Sequence, residues 1–229
     1  MVRTAALIMA AGAGERFEGR ESKTFHPLLG RPVLVWSAER LALHRDIDSI
    51  TVVVAPGEEG RAGEVLETHR VPKIARVVHG GDTRQESVRL GLDTVDSACD
   101  IVLVHDAARP CLTPLLIDRT LEALKTHGAV IPVWPVVDTL VREAGGVVDA
   151  IVDRVQISGV QTPQGFHAEL LHRAHRSAKA RGFSSSDDAS LVFALGETVR
   201  VIAGERTNIK ITYIEDASIA GAILERQRL

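Results

Sequence analysis

LIMAAGAGERFEGRESK, Leu7 to Lys23, begins as an apolar strand ending near Met9, passes into Ala10, Ala11, Gly12, Ala13 and Gly14, and then presents Arg16 and Lys23 within a short distance. Small residues after a strand let backbone N–H groups approach a ligand that bulkier side chains would hold away. Two cations beside such a loop call for an anion, most simply a phosphate. Gly12 and Gly14 also fit a plain tight turn between strand and helix with no ligand at all. The segments that follow decide between these readings.

Pro32 to about His44 places Leu34, Val35, Ala38, Leu41 and Ala42 at helical spacing, with the proline at the start where its missing N–H matters least. Ser49 to Val54 (SITVVV) is a β-branched run closed by Ala55, Pro56 and Gly57, the pattern of a strand buried on both faces. A helix over Glu59 to Thr68, a strand at Ile74 to Val78, a turn at Gly80 to Asp82 and a helix from about Arg84 to Asp93 repeat the unit. It recurs as Ile101 to His105, a turn through Asp106 and Arg109, a helix from about Pro114 to Thr126 and a strand at Ala129 to Val133. Strands alternating with helices, without hairpin turns between them, require right-handed crossovers and a largely parallel sheet. The fold class is therefore α/β, doubly wound, and residues 1–229 are expected to form one domain.

From about 136 to 160 the rhythm changes to alternating apolar and polar residues around Gly145 and Gly146, which predicts a β-hairpin arm projecting from the sheet. An arm with apolar residues on both faces exposes surface unless a second chain covers it, so a homodimer is expected. The tail predicts a helix from about Ala168 to Ala180, a polar stretch SSSDDAS, a short helix to Leu195, a strand near Val199 to Ile202, the segment NIKIT and a final helix.

Composition narrows the function. Lys plus Arg at 27 against Asp plus Glu at 30 leaves a net charge of −3, so no global positive field exists to hold a nucleic acid. One Tyr, two Trp and five Phe give few rings for stacking bases. Cys99 and Cys111 form neither a CxxC pair nor a disulfide scaffold, which fits a reducing cytoplasm. The N-terminal apolar run passes into the Gly-rich turn and reads as a core strand, and no run is long enough to span a bilayer.

A doubly wound sheet binds ligands at the carboxyl ends of its strands, so the Gly-rich loop and the Asp106 turn should flank one crevice. A dinucleotide fingerprint wants a third glycine and an acid at the tip of the second strand; here Glu15, Arg16 and Phe17 follow Gly14, and the strand ends in Ala55-Pro56-Gly57. A P-loop fails because no Gly-Lys-Ser or Gly-Lys-Thr follows. The remaining chemistry is attack on the α-phosphorus of a nucleoside triphosphate, which asks for fixed cations and N–H donors rather than a covalent nucleophile. Mg²⁺ is the usual extra counter-charge, with Asp106 the candidate carboxylate and the triphosphate supplying the rest.

AAGAGERF with Lys23, GGDTRQESV (80–88), VHDAARP (104–110), PVVDT (135–139), VDR (152–154), QTPQGF (161–166), DDAS (187–190) and NIKIT (208–212) together resemble the motif set of the 2-C-methyl-D-erythritol 4-phosphate cytidylyltransferase family. The blocks occur in order over essentially the whole chain. The resemblance implies a Rossmann-like nucleotidyltransferase fold and transfer of CMP from CTP to methylerythritol phosphate with release of pyrophosphate, a step of the non-mevalonate isoprenoid pathway. It implies that Ala10, Ala11, Gly12, Ala13, Gly14 and Ala107 hold the nucleotide, that Gly81, Asp82 and Ser87 recognise cytosine, and that Arg16 and Lys23 stabilise charge at the α-phosphate. It further implies that Arg154 and Lys210 position the acceptor for attack beside Asp106, with Arg109, Thr139, Thr162 and Ser186 binding it. In the family the arm crosses to the other subunit and lends Thr139 and Arg154 to its site.

Each residue also has a duller reading. Arg16, Lys23 and Arg154 taken singly fit solvated surface cations, Asp106 fits a turn cap, and Thr139 and Ser87 fit local backbone partners. His172 and His175 sit three apart on a helix but lack a third ligand, so they read as surface residues rather than a metal site. His105 reads as structural, because a phosphate nucleophile needs no general base. A pentitol phosphate such as ribitol 5-phosphate is the alternative acceptor, and a nucleotide-binding module without catalysis is the alternative of another class. The family commonly has proline where Met9 and Ser22 stand. Without a fixed φ before Lys23, CTP binding is expected to be weaker than in relatives carrying the proline; a titration showing ordinary tight binding would refute this.

Overall fold

The computed structural model describes residues 2–12, 14, 17 and 22–227. Strand β1 (Thr4–Ala10) is buried along its whole length, as its unbroken apolar run requires. Short strands β2 (Pro27–Leu28) and β3 (Arg31–Pro32) form a tight hairpin before helix α1 (Val33–Ala42). Then come β4 (Ser49–Val54), α2 (Glu59–Thr68), β5 (Ile74–His79), α3 (Arg84–Leu92), β6 (Ile101–Asp106), α4 (Pro114–Leu124) and β7 (Ala129–Pro135). The arm consists of β8 (Leu140–Ala144) and β9 (Val147–Val152), followed by a 3₁₀ turn at Arg154–Gln156. The chain closes with β10 (Ser158–Val160), β11 (Gln164–His167), α5 (Ala168–Arg181), α6 (Asp188–Phe193), β12 (Arg200–Ala203) and α7 (Ile214–Gln227).

The main sheet runs β5–β4–β1–β6–β11–β7, with β10 and β12 also paired to β7. All its strands are parallel except β10 and β11, which run against their neighbours. The expected mostly parallel, doubly wound sheet is thus present, with one short antiparallel strand inserted between β6 and β7. Register places Met9 beside both Val53 and Asp106, so the tips of β1 and β6 lie next to each other.

Alternation along β1 divides the core. Ala6 and Ile8 point to a cluster with Leu34, Leu41, Ile50, Leu103 and Ile117, under α1 and α4. Leu7 and Met9 point to the opposite cluster with Val88, Leu92, Phe166 and Leu171, under α3 and α5. Each fully buried Leu, Ile or Phe contributes about 1.5–3 kcal/mol against the ordering entropy of the chain. A smaller cluster of Leu28, Trp36, Cys111, Ile211 and Leu224 seats α7. No helix among the described residues is long and apolar enough to cross a membrane.

Among the described residues the arm pairs only with itself, Leu140 opposite Val152 and Ala144 opposite Val147. Gly145 and Gly146 take φ of +60° and +79°, the two left-handed residues that a tight hairpin turn demands. Val147, Ile151 and Val155 are 68%, 75% and 86% exposed. That is a row of apolar side chains left in water by this chain alone.

Candidate active site

A cavity of about 260 Å³ opens at the carboxyl ends of β1 and β6 and beside the start of α3. Ala10, Ala11 and Gly12 line one wall, Gly81, Asp82 and Ser87 a second, and Asp106 with Ala107 the floor, while Lys23 and Lys210 bring cations to it. The parallel register explains the floor. Ala107 donates its N–H to the Met9 carbonyl at 3.0 Å, and Ser37 of α1 donates to the Ala107 carbonyl at 2.7 Å.

The Lys23 side is shaped by a turn in which the Phe25 N–H reaches the Ser22 carbonyl at 2.9 Å. Thr24 donates its hydroxyl to the Ala10 carbonyl at 3.3 Å, and Phe25 is buried beneath the Arg61 guanidinium, 4.1 Å from its ring centroid. A hydrogen-bonded turn and an anchored ring therefore stand at Lys23. Arg16 and Ala13, both expected at this loop, lie outside the described residues.

On the second wall, Thr83 caps α3 by accepting the Glu86 N–H at 3.1 Å. The Ser87 hydroxyl accepts the Gly81 N–H at 3.1 Å and donates to the Thr83 carbonyl at 2.9 Å. Ser87 thus holds the loop shape as well as lining the cavity. Gly80 must lack a side chain, since a Cβ there would lie 2.5 Å from Ser87 Oγ and 2.8 Å from Ala11 Cβ.

Asp106 is buried, with its carboxylate 2.8 Å from Lys210 Nζ and 3.6 Å from Arg109 Nε. Burial on its own would raise its pKa, but the charges of Lys210, Arg84 and Arg109 outweigh it and hold the carboxyl well below the usual range. Behind it, the Asp106 N–H donates to Thr162 Oγ1 at 3.0 Å, and Thr162 donates to His105 Nδ1 at 3.0 Å. His105 Nε2 in turn faces the Arg109 carbonyl at 3.2 Å. The ring is fully buried, and this pushes its pKa down to about 4, so it is neutral and structural as expected.

Several expected residues are placed differently. Thr162 is buried with its hydroxyl already engaged, and Arg109 is buried with its terminal nitrogens donating to the carbonyls of Asn208 (2.8 Å) and Val160 (3.2 Å). Both support Asp106 from behind instead of opening onto the cavity. Gly14, with φ +65°, lies outside the lining. Thr139, Arg154 and Ser186 are exposed and do not line it either; Arg154 donates to the Val137 carbonyl within the arm. The expectation of two surface histidines is corrected for one of them: His175 is buried, its Nε2 3.0 Å from Asp188. A helix spacing of three cannot reveal that Asp188, from the following helix, folds over the ring.

Sequence reasoning passed over Arg84, which lines the cavity and pairs with Asp188 at 2.7 Å. Its signal was its place two residues after Asp82 inside the GGDTRQESV block.

The family model IspD, 2-C-methyl-D-erythritol 4-phosphate cytidylyltransferase, matches residues 4–226. The chain belongs to this family. It is 42% identical over 228 residues to the 2-C-methyl-D-erythritol 4-phosphate cytidylyltransferase of Symbiobacterium thermophilum, covering 99% of this chain and 94% of that one. It is 41% identical over 217 residues to the bifunctional enzyme IspD/IspF of Rhodospirillum rubrum, covering 94% of this chain but only 56% of that longer protein. Among solved structures it is similar to 4-diphosphocytidyl-2C-methyl-D-erythritol synthase of Anaerococcus prevotii, with a TM-score of 0.84, 32% identity, and 98% and 99% of the two chains covered. The cytidylyltransferase of Thermus thermophilus gives a TM-score of 0.80 at 38% identity, covering 98% and 100%.

In this cytidylyltransferase site His105 also links stability to pH. Its folded pKa of about 4 lies below the unfolded 6.5, so its contribution is full above pH 6.5 and is lost as pH falls towards 4. Urea unfolding should show stability dropping by about 3 kcal/mol over that window, and His105→Gln should flatten the slope. An unchanged slope in the variant would refute the assignment.

Proposed function

We propose that this chain transfers the cytidylyl group of CTP to 2-C-methyl-D-erythritol 4-phosphate and releases pyrophosphate. The observation that carries the reading is the single cavity in which the small-residue loop, Lys23, the Gly81–Ser87 wall, Asp106 and Lys210 converge, in a chain of this family. An oxygen of the acceptor's phosphate attacks the α-phosphorus of CTP; that P–O bond forms as the bond to the bridging oxygen of pyrophosphate breaks. The attacking oxygen is already anionic, so no side chain needs to remove a proton.

Lys23, with Arg16, balances the charge that grows on the α-phosphoryl oxygens and the departing pyrophosphate. Backbone N–H groups of Ala10 to Gly12 hold the triphosphate, and the Gly81–Asp82 loop takes the base. Lys210, oriented by Asp106, draws the acceptor's phosphate into line. A magnesium ion fits the donor set, since such ions are held by one or two carboxylates together with substrate phosphates, and Asp106 offers one carboxylate at the cavity floor. When bound, it would supply counter-charge to the triphosphate.

The chain is further proposed to act as one domain in a cytoplasmic homodimer. The apolar arm would be covered by its partner, and Thr139 and Arg154, exposed and absent from the lining of their own cavity, would serve the partner's. Arg109 and Thr162 would act on the acceptor through Asp106.

Pyrophosphate release with CTP and Mg²⁺ should occur with methylerythritol phosphate and not with ribitol 5-phosphate; release with neither would leave only a nucleotide-binding module. Lys23→Ala should lower kcat by about two to three orders of magnitude, the usual loss for a transition-state donor. A change below about threefold would remove Lys23 from the mechanism.

Mixing two inactive variants tests the shared site. A heterodimer of Lys23→Ala with Arg154→Ala contains one intact site only if Arg154 acts across the interface, so random exchange should restore about a quarter of wild-type activity. No recovery after subunit exchange would place Arg154 in its own chain's site.

A further inference from the structure

Arg84 is the first residue of α3, its backbone fixed by the Thr83 cap. Its guanidinium gives Nη1 to Asp188 Oδ2 at 2.7 Å, and the side chain remains 26% exposed where it lines the cavity. Asp188 is fully buried in the first turn of α6, and its other oxygen faces His175 Nε2 of α5 at 3.0 Å. One carboxylate therefore bridges a buried imidazole and a cation at the cavity wall. Burial lowers the pKa of Arg84, but Asp188 and Asp106 more than offset this, so the cation is retained within electrostatic reach of the cavity floor.

Stability gives no sufficient reason for this arrangement. Buried ion pairs replaced by apolar groups of similar volume are often neutral or stabilising, and a His175–Asp188 pair could be kept without an arginine reaching the crevice. A fork-shaped donor whose one edge is pinned presents its other edge in a set direction, which suits recognition of an oxygen acceptor. We propose that Arg84 contacts the nucleotide, donating to an oxygen of bound CTP, and that Asp188 and His175 are positioning residues that hold its guanidinium against the crevice. The inference rests on the cytidylyltransferase reading and extends it to a further residue of the wall that carries Gly81 and Ser87.

The test is calorimetric titration with CTP and with CMP, beside melting temperatures. Arg84→Met should weaken CTP binding about tenfold, as expected for loss of a charge-assisted hydrogen bond. Asp188→Asn should weaken it in the same sense, and the double variant should bind no worse than Arg84→Met, because the carboxylate acts only through the guanidinium. Equal losses for CMP and CTP would put the oxygen on the cytidylyl part, and a larger loss for CTP would put it on the departing phosphates; both support the contact. Should Asp188→Asn not fold, Arg84→Lys decides, since it keeps the charge without the fork and should lose most of the affinity.

Wild-type protein that binds no CTP would overturn the underlying function. Wild-type binding with Arg84→Met or Arg84→Lys within twofold of it would overturn the contact alone. Losses that multiply in the double variant would overturn the positioning role.

Discussion

A carboxylate held in a place that water barely reaches is the constraint on which the site depends. Leaving Asp106 uncompensated would cost several kcal/mol, so its surroundings must supply positive charge from fixed positions. They do so from three directions: Lys210 on the loop before α7, Arg109 on the turn after β6 and Arg84 at the start of α3. Their separation in sequence means that the charges meet only when the sheet, the tail and α3 are all in place. The same convergence leaves a cavity floor with a net cationic rim, which is what a triphosphate and an acceptor phosphate both need.

Behind the carboxylate stands a second set of groups that never reaches the cavity. Thr162 Oγ1 accepts the Asp106 N–H, its hydroxyl donates to His105 Nδ1, and Asn208 donates to the Thr162 carbonyl at 2.8 Å. Arg109 ties the Asn208 and Val160 carbonyls together, joining the Lys210 loop to the strand by which the arm returns. The root of the arm and the Lys210 loop are therefore coupled through one buried guanidinium. A chain of this kind fixes the direction of Lys210 more firmly than its own exposed side chain could.

The frame was legible because it follows from patterns a chain must obey locally. β4 and α2 have the bounds their residues predict, Ser49–Val54 and Glu59–Thr68, since β-branched runs and turn signals bracket them. β11 was not legible: it has only four residues, begins beside Pro163 and finds its partners across the fold in β6 and β7. The cavity lining was largely legible from the ordered motif blocks, from Ala10 through Lys210. What sequence could not separate was lining from support, because Thr162, Arg109 and Ser87 carry groups suited to a ligand or to the backbone. Only their partners in three dimensions distinguish the two.

The arm shows the limit of reading one chain by itself. Its hairpin turn is specified locally by Gly145 and Gly146, yet none of the described residues covers Val147, Ile151 or Val155. A sequence that keeps alternating apolar residues on an isolated two-stranded ribbon is stable only if another surface buries them. Thr139 and Arg154 travel on that ribbon, so whatever covers it also decides where they act. In a symmetric pair the surface offered by one chain is the surface needed by the other, and the burial that stabilises the arm would at the same time deliver its cation to a second site.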